Sequence, residues 1–343
     1  MSLKKVICVL VILAVGAWSI AALRGSSKLE SWIQNLSPNG EVTEEAPSAD
    51  KVDDRMPVMA SELPQYDDES FPPFPSQVEI PATPTPIVEE KTVVLPTTIE
   101  GGMVIRNDTG FQIDLDAMVR AGPSLTLSAE GMQVLIIHTH GSEAFTPDEK
   151  DNYTPTDGYR SDDKQFNVIR LGDELTSCLE SFGLNVIHDR EIYDYPSYTG
   201  SYDRSGYAIE EYLSQYPEIA VVIDLHRDAL GSNGIVYKTM AEGQGAASSQ
   251  VMLLVGTGEN GRPHPIWSEN MKFALYLQSA IVNKYPTLAR PVAVKKERYN
   301  QQLTTGSLIL EVGSSGNTLS EALQAVRFFA DAVAPALLEL KSE

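Results

Sequence analysis

The sequence predicts an α/β domain whose mostly parallel sheet lies between helices, and three observations predict it. Short apolar runs, rich in Val, Ile and Leu, alternate with longer amphipathic runs from residue 99 onward. That region of about 245 residues suits one domain of this type. Three of the apolar runs end in His, Asp or Glu, the placement expected where an open α/β sheet binds ligands.

In chain order, Met132–Ile137 (MQVLII) is the first buried strand. Asn167–Phe182 is a helix, with Val168, Leu171, Leu175, Leu179 and Phe182 on one face at spacings of three and four. Gly183 follows as its left-handed terminator. Leu184–Ile187 is a strand, and Ser205–Tyr216 a helix that Pro217 ends. Ile219–Leu225 (IAVVIDL) and Gln250–Val255 are buried strands. Ile266–Tyr285 is a long helix and Ser307–Val312 (SLILEV) a strand. Asn317 or Thr318 caps a last helix that runs to about Leu340.

The regions before residue 99 have a different composition. Val6–Leu23 is an uncharged run of 18 residues behind Lys4 and Lys5, enough for one membrane-spanning helix with its N-terminus in the cytoplasm. A cleaved signal peptide is the competing reading, through Ser19-Ile20-Ala21. Residues 25–98 hold 11 of the 21 prolines and a net charge of −10, so they form a disordered, extended stalk. The expected organisation is thus an anchor (1–24), a Pro-rich acidic linker (25–98) and a catalytic domain (99–343). The net charge of −21 excludes a nucleic-acid partner, which needs a basic surface. Two cysteines exclude a disulfide framework and a cysteine-rich zinc site.

The strand ends suggest a single metal. A catalytic zinc takes three ligands from His and Asp or Glu and keeps one position for water. His140-x-x-Glu143 offers a nitrogen and an oxygen from one turn, and His226 a third ligand from the next strand end. Glu311 stands ready to take the water proton, and Arg227 to stabilise an oxyanion. His138 competes with His140, because residues two apart in an extended segment face one way. Asp163, just before the helix, competes with Glu143. Asp224 is placed to orient a histidine. His188 and His264 read as loop or surface residues. A stretch with Tyr193, Tyr195, Tyr198, Tyr202 and Tyr207 either lines a groove or packs a loop.

The segments VLIIHTHGSEAF, VVIDLHRDAL and LILEVGSSGNTLSEA resemble the stage II sporulation protein P family, over about residues 130–335. That family is similar to the zinc-dependent N-acetylmuramoyl-L-alanine amidases, whose fold zinc carboxypeptidases share. The resemblance implies a Zn2+-dependent peptidoglycan hydrolase that cuts the amide between muramic acid and L-alanine. It also implies endopeptidase cleavage of cross-links, and work with stage II sporulation proteins D and M in forespore engulfment, outside the cytoplasm. By the same resemblance His140 and His226 match the two zinc histidines, and Glu311 the catalytic glutamate. Asp163, four before Asn167, matches the amidase carboxylate position, whereas Glu143 matches the carboxypeptidase H-x-x-E. His138 stands where the amidases carry an aspartate. The rival functions are a zinc carboxypeptidase on stem peptides, with Arg227 or Arg298 clamping a carboxylate, and a non-catalytic peptidoglycan-binding scaffold.

Overall fold

The buried apolar runs become strands and the amphipathic runs between them helices. The computed structural model describes residues 91–95, 103–155, 158–232, 235–242 and 245–342, all inside one compact unit. The elements are β1 (Lys91–Leu95), β2 (Ile105–Asn107), α1 (Leu115–Ala121), β3 (Val134–Ile137), α2 (Val168–Ser181), β4 (Val186–His188) and α3 (Ser201–Gln215). There follow β5 (Val221–Asp228), β6 (Gly231–Ser232), β7 (Ile235–Ala241), β8 (Ser248–Ser249), β9 (Val251–Gly256) and α4 (Trp267–Lys284). The chain ends with β10 (Val292–Lys295), a 3-10 turn (Gln301–Leu303), β11 (Gly306–Ser314) and α5 (Leu319–Glu339).

Seven strands form the main sheet in the order β2-β10-β9-β11-β5-β3-β4. Every neighbouring pair is parallel except β9 with β11. The carboxyl ends of β11, β5, β3 and β4 therefore share one edge. A smaller sheet pairs β1, β7 and β6, with β8 against β7. β1 comes from the tail of the segment expected to be a linker, where KTVVL supplies a short β-branched run free of proline.

Side-chain alternation sorts the sheet residues onto two faces. Val134, Ile136, Val221, Ile223, Leu225, Leu308, Leu310 and Val312 enter the main core with the apolar faces of α2, α4 and α5. Leu135, Ile137 and Val222 pack on the opposite face against Ile209 of α3. Further along that second face, Leu254, Ala293 and Ile309 form a small cluster that meets Tyr299 and no helix. The predicted three layers are present, but the second helical layer covers only part of its face.

The helix caps follow local chemistry. Asn167 caps α2 by accepting a hydrogen bond from the Ile169 amide. Thr318, rather than Asn317, caps α5, and Glu321 completes a capping box. Helix α3 starts at Ser201, four residues earlier than its apolar stripe suggests, because Ser201, Ser205 and Gly206 fill its buried first turns. The unpredicted β2, β6, β8 and β10 are short strands that give little periodicity, and β7, though seven residues long, buries Val236, Thr239 and Ala241 without regular alternation. Among the described residues no helix is long and apolar enough to cross a membrane. The anchor expected at Val6–Leu23, and the linker as far as residue 90, lie outside the described residues.

Candidate active site

The site is built on the second face, at the edge where the parallel strands end. In β5, Leu225 turns into the main core, so Asp224 and His226 turn the other way. In β11 the same alternation places Glu311 on the side of Ile309, away from Leu310 and Val312. Glu311 and His226 are register partners across the β11/β5 pair. Sheet geometry alone thus brings together two of the expected residues, 85 positions apart in the chain.

His140 and Glu143 arrive by a turn. β3 ends at Ile137, and the chain then turns through residues 139–142. The Glu143 amide closes the turn on the His140 carbonyl at 3.1 Å. The rings of His140 and His226 meet edge to face, with centroids 5.3 Å apart. Glu143 Oε2 lies 3.3 Å from His226 Nδ1 and accepts from the Arg227 amide at 3.1 Å. On the other side of His226, Nε2 lies 2.8 Å from Asp224 Oδ1. Asp224 is itself held by Thr139, whose amide and hydroxyl donate at 2.8 and 2.7 Å.

The electrostatics follow from this packing. Burial opposes a charge on Glu143, but the His226 hydrogen bond and the Arg227 charge outweigh it and hold the carboxyl at about 2. Burial also opposes a charge on His226, yet Asp224 and Glu143 raise it well above the ordinary range. Burial, aided by the His226 charge, pushes His140 down to about 4. Burial pushes Glu311 up to about 8, and the Asp228 and Glu143 carboxylates add to that. Glu311 Oε2 is buried with no hydrogen-bond partner.

Two cavities flank these residues. One, of about 410 Å³, is lined by His140, Tyr198, Tyr202, Arg262, Arg298 and Tyr299, among others. The other, of about 480 Å³, is lined by Glu311, Met252, Leu254, Ala293, Asp228 and Arg290, among others. The partial helical cover of this face leaves room for them.

The structure gathers His140, Glu143, His226 and Glu311, and it does not gather the other three expected residues. His138 points into the opposite face, because it continues the alternation of β3 while His140 lies beyond the strand end. Its Nδ1 donates to the Leu225 carbonyl at 2.9 Å, and its Nε2 meets His188 Nε2 at 2.8 Å. Asp163 is exposed and accepts from the Gln165 amide at 3.0 Å, shaping the turn before α2. Arg227 is buried, and its guanidinium donates to the carbonyls of Ala144, Gly158 and Tyr159 at 2.8, 3.0 and 3.2 Å. It is thereby committed to holding the Glu143 turn and is not available for an oxyanion.

Sequence reasoning passed over Arg160 and Asp194. Asp194 accepts from the amide and hydroxyl of Ser142 at 3.0 and 2.6 Å, pairs with Arg160, and lies 4.0 Å from His140 Nδ1. Neither belongs to a strand end, so no local signal marked them. Tyr198 stacks on His140 with centroids 4.4 Å apart, and Tyr202 meets it edge-on at 5.4 Å. These two tyrosines line the cavity, whereas exposed Tyr195 and Tyr207 do not. His264 lies in a loop as expected but is buried, and the His188 side chain is buried at the end of β4.

Among the described residues no three His, Cys, Asp or Glu side chains already stand as a metal-holding group. The donors nevertheless fit zinc in kind, being two imidazoles and a carboxylate in a buried pocket. His140 Nδ1 is buried and makes no hydrogen bond, and Asp224 Oδ1, 2.8 Å from His226 Nε2, leaves the Nδ1 of that ring facing Glu143.

Fold and site together define an α/β protein with a buried histidine–carboxylate centre at the carboxyl edge of its parallel strands. Comparison with known proteins gives the family. A sequence model of the Stage II sporulation protein P (SpoIIP) family matches residues 43–334, and the chain belongs to that family. It is 30% identical over 209 residues to the Stage II sporulation protein P of Bacillus subtilis (strain 168), covering 58% of this chain and 49% of that protein. The chain thus matches about half the length of that relative. Among solved structures, the catalytic domain of an N-acetylmuramoyl-L-alanine amidase from Bacillus (Paenibacillus) polymyxa is similar at a TM-score of 0.36 and 16% identity, covering 61% of this chain and 97% of that one. An N-acetylmuramoyl-L-alanine amidase of Clostridium difficile 630 gives 0.35 and 15%, over 61% and 97% of the two chains.

Proposed function

We propose that this chain is a peptidoglycan hydrolase of sporulation, and that it uses zinc to hydrolyse the amide between N-acetylmuramic acid and the L-alanine of the stem peptide. One observation carries the reading: His140, Glu143, His226 and Glu311 converge on one sheet face between two open cavities. Membership of the sporulation family supports the substrate class.

His140, Glu143 and His226 would hold the ion. Zinc held there would supply a Lewis acid for the scissile carbonyl and an acidified water able to attack at neutral pH. Asp224 orients the His226 ring from Nε2, which leaves Nδ1 turned to Glu143. Asp194 and Arg160 brace the turn that carries His140. A bound cation's charge would draw Glu311 below its raised value of about 8, so that its carboxylate accepts the proton of the attacking water and delivers it to the leaving amine nitrogen. The same reading keeps the enzyme on a membrane anchor at residues 6–23, with its catalytic domain outside the cytoplasm and stage II sporulation proteins D and M as partners.

A second reading, a zinc carboxypeptidase on stem peptides, is favoured by the position of Arg298 in the cavity wall beside His140. Digestion of purified sacculi by the full chain separates the two. Stem peptides with a new L-alanine N-terminus are expected from the amidase, and free terminal D-alanine from the carboxypeptidase. Activity that survives both a chelator and Glu311→Gln would overturn the zinc hydrolase.

A further inference from the structure

We propose that the tyrosine-walled cavity beside His140 is a subsite for a carboxylate-bearing arm of the substrate, and that Arg298 is the residue that selects it. The proposal rests on the peptidoglycan reading above, since the arm belongs to the peptide joined at the scissile amide.

Arg298 is half-buried in the cavity wall, and its Nε is buried without a hydrogen-bond partner. No ion pair reaches it among the described residues. A buried guanidinium nitrogen left unpaired is costly, so a site that keeps one is built to receive an acceptor. The other cations nearby are engaged. Arg262 has Asp203 at 3.9 Å, and Arg160 pairs with Asp194 while its guanidinium lies over Tyr198. The cavity also carries the carboxylates of Asp203 and Glu297. The first faces Arg262, and the second accepts from the Tyr299 hydroxyl at 3.1 Å. The Arg298 charge is felt locally: it adds to the burial that pushes His264 down to about 4.

The backbone that presents Arg298 is strained and pinned. Tyr299 and Asn300 have φ of 52° and 58°, a left-handed pair without glycine. The strain is held by contacts on both sides. Asn300 Nδ2 donates to the Tyr202 carbonyl at 2.7 Å. The Gln301 side chain accepts from the Gly256 amide at 2.8 Å and donates to the Leu254 carbonyl at 3.0 Å. A Cβ at Gly256 would lie 2.2 Å from the Glu297 carbonyl, so only glycine lets the loop sit this close to β9. Strain held in place by its surroundings is the mark of a pre-organised site. A planar guanidinium matches a carboxylate with two parallel hydrogen bonds. In a chain of net charge −21, a local free cation is what lets an acidic peptide approach.

The test uses the full chain carrying Glu311→Gln, so that the ligand is not consumed. Calorimetry measures binding of a soluble N-acetylmuramoyl peptide with free carboxylates and of the same peptide with every carboxyl amidated. The acid is expected to bind about 10-fold tighter than the amide, the order of one charge-assisted bond. Adding Arg298→Gln should erase the difference, Arg298→Lys should restore part of it, and Arg262→Gln should leave it in place. Equal binding of acid and amide, or a preference that survives Arg298→Gln, overturns the subsite and leaves the substrate reading standing. Failure of both peptides to bind overturns the two together.

Discussion

Two histidine pairs lie on opposite faces of the same sheet, and both are buried. His138 and His188 face α2 and the main core, and each of their ring nitrogens has a partner. The Leu225 carbonyl takes one, the two Nε2 atoms meet at 2.8 Å, and Asp173 Oδ1 lies 3.2 Å from His188 Nδ1. His140 faces a cavity and keeps a buried Nδ1 without a hydrogen bond, while His226 stands between the Asp224 and Glu143 carboxylates, 2.8 and 3.3 Å from its two nitrogens. The closed pair is a structural clasp between β3, β4 and β5. The open pair stands beside two carboxylates with His140 Nδ1 unpartnered, which suits a ligand. Residue type is alike in the two pairs; what separates them is their setting, one pair closing on itself inside a packed face and the other standing among carboxylates beside a cavity.

The contrast breaks most sharply at the reacting centre. Glu311→Gln should cut sacculus hydrolysis at least about 100-fold, the scale of a lost acid–base group. Its melting temperature should not fall, because the change removes a buried acid that has an unpartnered oxygen. A comparable activity in the variant would remove Glu311 from the chemistry. The next largest effect concerns zinc affinity, read by competition with a chromogenic chelator. Alanine at His140 or His226 should weaken binding by more than the roughly 10–100-fold that an outer partner costs. His188→Asn should leave the affinity within about twofold of the parent. If both pairs respond alike, the distinction between them fails.

The closed pair should instead answer in stability. A Cβ at Gly172 would lie 2.3 Å from His188 Nε2 and 2.6 Å from His138 Nε2. Gly172→Ala should therefore lower stability by about 1–3 kcal/mol in urea melts, with zinc stoichiometry unchanged. The pair also sets a pH dependence. Burial holds His188 at about 4, below the 6.5 of a free histidine. The unfolded chain thus takes up the proton first as pH falls. The stability contribution is full above about 6.5 and shrinks toward pH 4, and His188→Asn should flatten that slope in melts across the window. The smallest effect belongs to Asp163→Asn, which should leave both zinc affinity and hydrolysis within about twofold. A large loss there would return Asp163 to the ligand set in place of Glu143.

Much of this molecule was legible in one dimension, because the determining physics is local. Apolar runs of period two or none, the stripe of α2 and the caps at Asn167 and Thr318 depend on neighbours a few residues away. The strand-end rule then put His138, His140, His226 and Glu311 among the candidates without separating the first two. Short elements such as β2 and β10 escaped, since three or four residues carry almost no periodic signal.

What only the tertiary structure decided was which atoms have partners. Spacing left Glu143 and Asp163 equal, and the fold tells their surroundings apart, with a turn that lays Glu143 against His226 while Asp163 stays in solvent. Two-residue spacing put His138 and His140 on one side, and the end of β3 at Ile137 separated them. Arg227 kept its place next to His226 in sequence, yet its guanidinium is taken by three carbonyls 68 to 83 residues away. Arg298 remained one cation among many until the loop at Tyr299 and Asn300 held it, unpaired, in a cavity wall. Sequence sets the local element and the residue type; hydrogen-bond satisfaction is a property of contacts between distant segments, so it exists only once the chain has folded.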